Sequence, residues 1–152
     1  MPADNGPTRR TTEVLHLVVD GANVVGSRPD GWWRDRAGAA QRLARKIRAA
    51  LASDAEGLAR AAGVTATEPR VHLVLEGEAR LASDLPAHPL LTVVLAEADG
   101  DATIAQLAAQ LPSPVVVVTA DRALQRRVVD TGAGVVAPGA FLRALDELTT
   151  GG

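Results

Sequence analysis

Asp20, Glu76, Glu97, Asp99, Asp101 and Asp121 stand at matching points along the chain, each at or just beyond the end of an apolar run rich in β-branched residues. Residues 14–19 precede Asp20, 71–75 precede Glu76, 91–95 precede Glu97 and Asp99, and 115–118 precede Asp121. Parallel strands end on the same side, so these carboxylates are expected to converge on one rim. Gathered there with no matching lysine, they repel one another unless a cation sits among them. Hard divalent cations accept oxygen ligands. Two such ions about 4 Å apart stabilise both the attacking and the leaving oxygen of a phosphodiester displacement.

Each acid also has a plainer use. Asp121 before Arg122, and Asp99 and Asp101 before their helix, suit N-caps, and Glu76 and Glu97 suit solvated loops. The recurrence at four successive strand ends, more than any single residue, favours a shared site.

The elements that must position these acids follow from patterning. The runs at 14–19, 71–75, 91–95, 115–118 and 134–136 predict buried strands. Leu43, Ile47, Ala50 and Leu51 recur at helical spacing and predict a long helix from Arg36 to about Ala62, broken or bent at Gly57. Further helices are predicted at 103–111, at 122–129 and from Pro138 onward, where proline suits a helix start. The segment 78–90 is the expected irregular connection, and Gly26–Asp35 a loop. Continuous apolar strands alternating with helices predict an α/β fold: a mostly parallel sheet with helices on both faces. Residues 1–12 are expected to form a loose arm, 13–149 a single domain and 150–152 a tail.

Around the acids lie candidate substrate contacts. Asn23, within Asp20-Gly21-Ala22-Asn23, can orient a water or a phosphate oxygen, or close an Asx-turn. Thr119 is a candidate contact, or a cap for the following helix. Arg28 and Arg34 lie in the rim loop and Arg122 follows the fourth strand, so all three are candidates for phosphate. Arg126 and Arg127 read at least as well as ordinary surface arginines. Trp32 and Trp33 can stack on unpaired bases; alternatively they staple the long helix to the sheet, and at least one is expected to be core. His16 and His72 are expected to be packing residues.

Composition narrows the classes. The 152 residues fit one domain, and a hydrophobic fraction of 47% argues against disorder. With no cysteine, disulfides and thiolate metal sites are excluded. No apolar stretch approaches the roughly 20 residues that span a bilayer, and the polar start lacks a signal-peptide core, so a cytoplasmic location is expected. The net charge of −2 does not suggest a nucleic-acid binder, although segregated charge weakens that inference. No Gly-rich segment ends in Lys-Ser or Lys-Thr, which argues against ATP-driven chemistry. A phosphoacceptor of the response-regulator kind should carry a lysine near the last strands, and Lys46 is the only lysine.

Three segments resemble a known family. Val18-Val19-Asp20-Gly21-Ala22-Asn23-Val24-Val25 is similar to the opening strand and turn of NYN-domain proteins, especially the YacP-like branch of the PIN-like nuclease group. Residues 96–104 and 118–122 resemble that family's second and third acidic motifs, and Leu75-Glu76-Gly77 a strand-end acid of related flap-type nucleases. The resemblance implies a three-layer PIN-like (Rossmann-like) domain and a Mg²⁺- or Mn²⁺-dependent ribonuclease with RNA as partner. Separately, no membrane partner is expected, and a monomer or weak homodimer is. It implies Asp20 as the central metal ligand, with Asp101 and Asp121 beside it and Glu76, Glu97 and Asp99 as further ligands. Two departures stand out: Gly100 splits the usual acidic run, and Ala22 replaces a common Tyr. A nucleotide phosphohydrolase, or a catalytically silent RNA-binding module on the same fold, is the alternative.

Overall fold

The computed structural model describes residues 13–66 and 68–150. β-Branched side chains are stiff and pack well on a pleated surface, and they form the middle of its sheet. Strand β1 (Val14–Asp20) lies at the centre, flanked by β2 (Glu68–Leu75) and β4 (Val115–Val118), with β3 (Leu91–Leu95) and β5 (Gly134–Val136) at the edges. The order is β3-β2-β1-β4-β5 and every pairing is parallel, where the sequence predicts a mostly parallel sheet.

Alternation along the strands sends side chains to two helical layers. Leu15, Leu17 and Val19 of β1 and Leu73 and Leu75 of β2 pack with α2 (Arg36–Ala61) and α5 (Pro138–Thr150). Val18, Val74 and Val117 pack on the other face with Ile104 of α3 (Gly100–Gln110) and Leu124 and Val128 of α4 (Arg122–Val129). Complete burial of side chains such as Leu17, Ile47 and Leu145 contributes about 1.5–3 kcal/mol each. The result is the expected three-layer α/β/α arrangement.

Several boundaries differ from expectation. The turn after Asp20 is a short helix, α1 (Gly21–Val25). The long helix breaks at Asp54 (φ −159°, ψ 81°) rather than at Gly57. Asp54 leaves the helical conformation and its carboxylate accepts the Gly57 N–H at 2.9 Å, so it caps a second helical stretch. Helix α3 begins at Gly100, which puts Asp101 inside its first turn. The final helix runs to Thr150. The predicted arm at 1–12 and the tail residues 151–152 lie outside the described residues.

Neither tryptophan is core. Trp32 and Trp33 form a 3₁₀ turn with Arg34, Trp32 half-buried and Trp33 50% exposed, because α2 reaches the sheet through small alanines and Leu43 instead. His16 and His72 lie within hydrogen-bond distance of each other, Nδ1 to Nε2 3.0 Å, so they form a polar pair on the sheet. No helix among the described residues is long and apolar enough to cross a membrane.

Candidate active site at the carboxyl rim

The chain lays down β1, β2 and β3 in one direction across the sheet and then returns to place β4 on the other side of β1. Ligands in open α/β sheets bind beyond the carboxyl ends of the strands at such a reversal. Asp20 ends β1 on one side of it, and Thr119 follows β4 on the other.

Asp20 is 4% exposed and both its oxygens are engaged. Its Oδ1 accepts the Asn23 N–H at 3.2 Å, capping α1, and its Oδ2 accepts the Thr119 hydroxyl at 2.9 Å. Gly21 follows because a Cβ there would stand 2.5 Å from the Val74 carbonyl oxygen on rigid strand backbone. Burial pushes the Asp20 carboxyl above its ordinary pKa; the bonds from Thr119 and Asn23 pull it down, and the charges of Asp101 and Glu76 push it up again.

The other acids fall into distinct roles. Asp99 caps α3 through Ala102 N–H at 2.9 Å, and Asp121 caps α4 through Leu124 N–H at 3.0 Å. Glu76 accepts the Gly100 N–H at 3.1 Å and ties the end of β2 to the start of α3. A Cβ at position 100 would lie 2.5 Å from that Glu76 oxygen, which gives the glycine interrupting the acidic run a structural use. The Asp101 carboxylate makes no hydrogen bond or ion pair with any described residue. Partial burial raises its pKa, as do Asp121 and Asp99, while Arg127 lowers it. Asp20, Glu76, Asp99, Asp101 and Asp121 thus share one electrostatic neighbourhood. Glu97 is exposed, and it is not among the charges that shift Asp20 or Asp101.

Most of the other candidates engage partners within the fold. Asn23 closes no Asx-turn through its side chain: its Oδ1 accepts the Ala120 N–H at 2.7 Å and so joins α1 to the loop after β4. Thr119 is wholly buried, donates to Asp20 and accepts the Asp121 N–H at 3.1 Å, so it holds the site rather than facing a substrate. Arg28 turns to Asp146 on α5 at 3.2 Å, where Lys46 also binds at 3.0 Å. Arg34 lies 5.7 Å from the Trp33 ring centroid, and Arg122 is exposed at the start of α4. Sequence reasoning gave Arg127 no preference, yet its charge reaches Asp101. It also missed Gln125, whose Nε2 donates to the Thr119 carbonyl at 2.8 Å. The signal was available, since Gln125 stands one helical turn after the cap Asp121.

Among the described residues, no group of three His, Cys, Asp or Glu side chains is arranged to hold a metal ion. The oxygen donors therefore form no closed cage. Carboxylate oxygen is the donor type that hard divalent cations take.

A five-stranded parallel sheet between two helical layers, with acids at its reversal point, is a three-layer α/β fold of the Rossmann-like type. Two solved structures share it: Rae1 (YacP) from Bacillus subtilis, at TM-score 0.64 and 21% identity over 87% of this chain and 74% of that one, and a tryptophan-to-leucine variant of the same protein, at TM-score 0.64 and 22% identity over 88% and 76%. No protein-family model and no curated protein matches the chain.

Proposed function

We propose that the chain is a Mg²⁺- or Mn²⁺-dependent ribonuclease acting at the rim around Asp20. The observation that carries the reading is the buried Asp20 at the strand-order reversal, its pKa raised by burial and by Asp101 and Glu76. A negatively charged site of this kind gains from a cation. The acidic motifs resembling the YacP-like branch, and a fold shared with YacP, support the same reading.

In this reading Asp20 and Asp101 hold the ion, with Asp121 and Glu76 adding negative charge nearby. When bound, the ion neutralises charge developing on the phosphodiester oxygens. Thr119 and the Asn23 backbone fix the Asp20 carboxylate, and the Asn23 side chain holds the neighbouring loop. Arg127 and Arg122, both on α4, supply positive charge for the polyanion.

The test is incubation of labelled RNA with Mn²⁺, with and without chelator, for the wild type and Asp20→Asn. Chelator-sensitive cleavage that Asp20→Asn abolishes is expected; absence of cleavage with every divalent metal tried would overturn the reading. The lack of a three-ligand set among the described residues favours one second reading, an RNA-binding module without turnover. RNA binding that persists in Asp20→Asn while neither protein cleaves would support it.

A further inference from the structure

Beside Asp20 the rim opens into a cleft of about 90 Å³, whose lining includes Ala22, Trp32, Arg36, Leu75, Glu76 and Ala79. We propose that this cleft receives one unpaired nucleobase of the strand whose phosphate lies at Asp20. The proposal rests on the RNA reading above and adds to it a base-binding subsite.

The cleft shares Glu76 with the acidic rim and lies beside Asp20 through Gly21 and Ala22, so a strand held at the acids passes its mouth. Its aromatic wall is fixed in place. The Trp32 ring packs beside Gly26, where a Cβ would come within 3.5 Å of it, and the Arg36 guanidinium stands 5.0 Å from the ring centroid. Indole and guanidinium surfaces both stack on bases irrespective of base identity. Leu75 and Ala79 supply apolar lining. Glu76 forms the polar end: one carboxylate oxygen takes the Gly100 N–H, and the other makes no hydrogen bond among the described residues, leaving it to accept from a base N–H. Gly77, at φ +57°, has no heavy atom within 4 Å of where a Cβ would stand, so that side is open for entry. A site that takes one base at a time requires it to be unstacked and unpaired.

Trp33→Phe leaves Trp32 as the sole tryptophan reporter. This protein is titrated, with Ca²⁺ in place of Mg²⁺, with a short single-stranded oligoribonucleotide, with its duplex and with an abasic ribose-phosphate oligomer of equal length. The expected result is saturable quenching by the single strand and affinity roughly tenfold above that of the abasic oligomer, with the duplex behaving like the abasic one. Filling the cleft with Ala79→Phe should remove the difference between based and abasic strands. Equal binding of those two strands to the Trp33→Phe parent overturns the subsite while leaving the RNA reading standing, and it does so whether or not Ala79→Phe folds. A base-dependent difference that survives in folded Ala79→Phe also overturns it. Binding of none of the strands overturns both.

Discussion

The Thr119 hydroxyl donates to Asp20 Oδ2 at 2.9 Å across the point where the strand order reverses, and its own Oγ1 accepts the Asp121 N–H at 3.1 Å. One buried hydroxyl thereby links the end of β1 to the start of α4. Every buried side-chain nitrogen and oxygen among the described residues has a partner, so removing this hydroxyl leaves two groups short. Thr119→Val should cost about 1–3 kcal/mol in urea unfolding. It should also raise the pKa of Asp20 further, moving the acidic limb of the cleavage–pH profile upward. Thr119→Ser should restore most of both. A Val variant as stable as wild type, with an unmoved profile, would show the link to be energetically idle.

Asp20 itself should behave differently. Its folded pKa is raised above 3.8, so the folded chain holds that proton more tightly than the unfolded one. Stability from this group therefore falls as pH rises from about 3.8 through the raised folded value, and ionised Asp20 is unfavourable at neutral pH. Asp20→Asn should melt at or above the wild-type temperature at pH 7 while losing cleavage. A large drop in melting temperature would assign Asp20 a structural role instead.

The remaining acids separate by their bonds. Asp99→Ala and Asp121→Ala remove helix caps and should each cost about 1 kcal/mol. The Asp101 carboxylate bonds to no described residue and its pKa is raised, so Asp101→Asn should melt at or above the wild-type temperature at pH 7 but weaken Mn²⁺ binding measured by calorimetry. Unchanged Mn²⁺ affinity in that variant would remove Asp101 from the ligand set.

Gln125 acts through Thr119 and is a positioning residue. Loss of its bond to the Thr119 carbonyl should let the Asp20–Thr119 contact drift. Gln125→Ala is expected to lower kcat roughly tenfold with KM unchanged, since small misplacements of reacting groups are costly. An effect confined to KM or to melting temperature would contradict this.

The His16–His72 pair predicts acid sensitivity away from the site. Their facing nitrogens share at most one proton, and burial lowers both pKa values below 6.5; the Arg70 charge adds to this at both, against Glu68 at His16, and the His16 charge adds to it at His72. Groups with depressed folded pKa values of this basic kind lose stability as pH falls from 6.5 towards those values. Melting temperature should therefore drop as pH falls below about 6.5, and His72→Gln should flatten that slope. An unchanged slope would exclude the pair as its source.

How much of this was legible beforehand depends on the range of the interaction. The apolar runs at 14–19, 71–75 and 115–118 and the helical spacing of Leu43, Ile47 and Leu51 are local signals, and they located the strands and the long helix. The break at Asp54 was missed because a cap three residues before Gly57 looks the same in sequence as a solvated acid. Capping also explains why Asp99 and Asp121 read ambiguously: the same residue type in the same place serves either purpose.

The sequence by itself determined that acids would end the strands, because strand direction and side-chain type are written along the chain. Only the tertiary structure decided which of those acids are held and which are left unbonded. The order β3-β2-β1-β4-β5 sets Thr119 against Asp20, packing turns Arg28 to Asp146, and Arg127 comes within electrostatic reach of Asp101. These partners lie far apart in sequence, or depend on which way a side chain leaves its helix. Such contacts form only where burial and geometry repay the entropy of bringing distant segments together, and no local pattern encodes that balance.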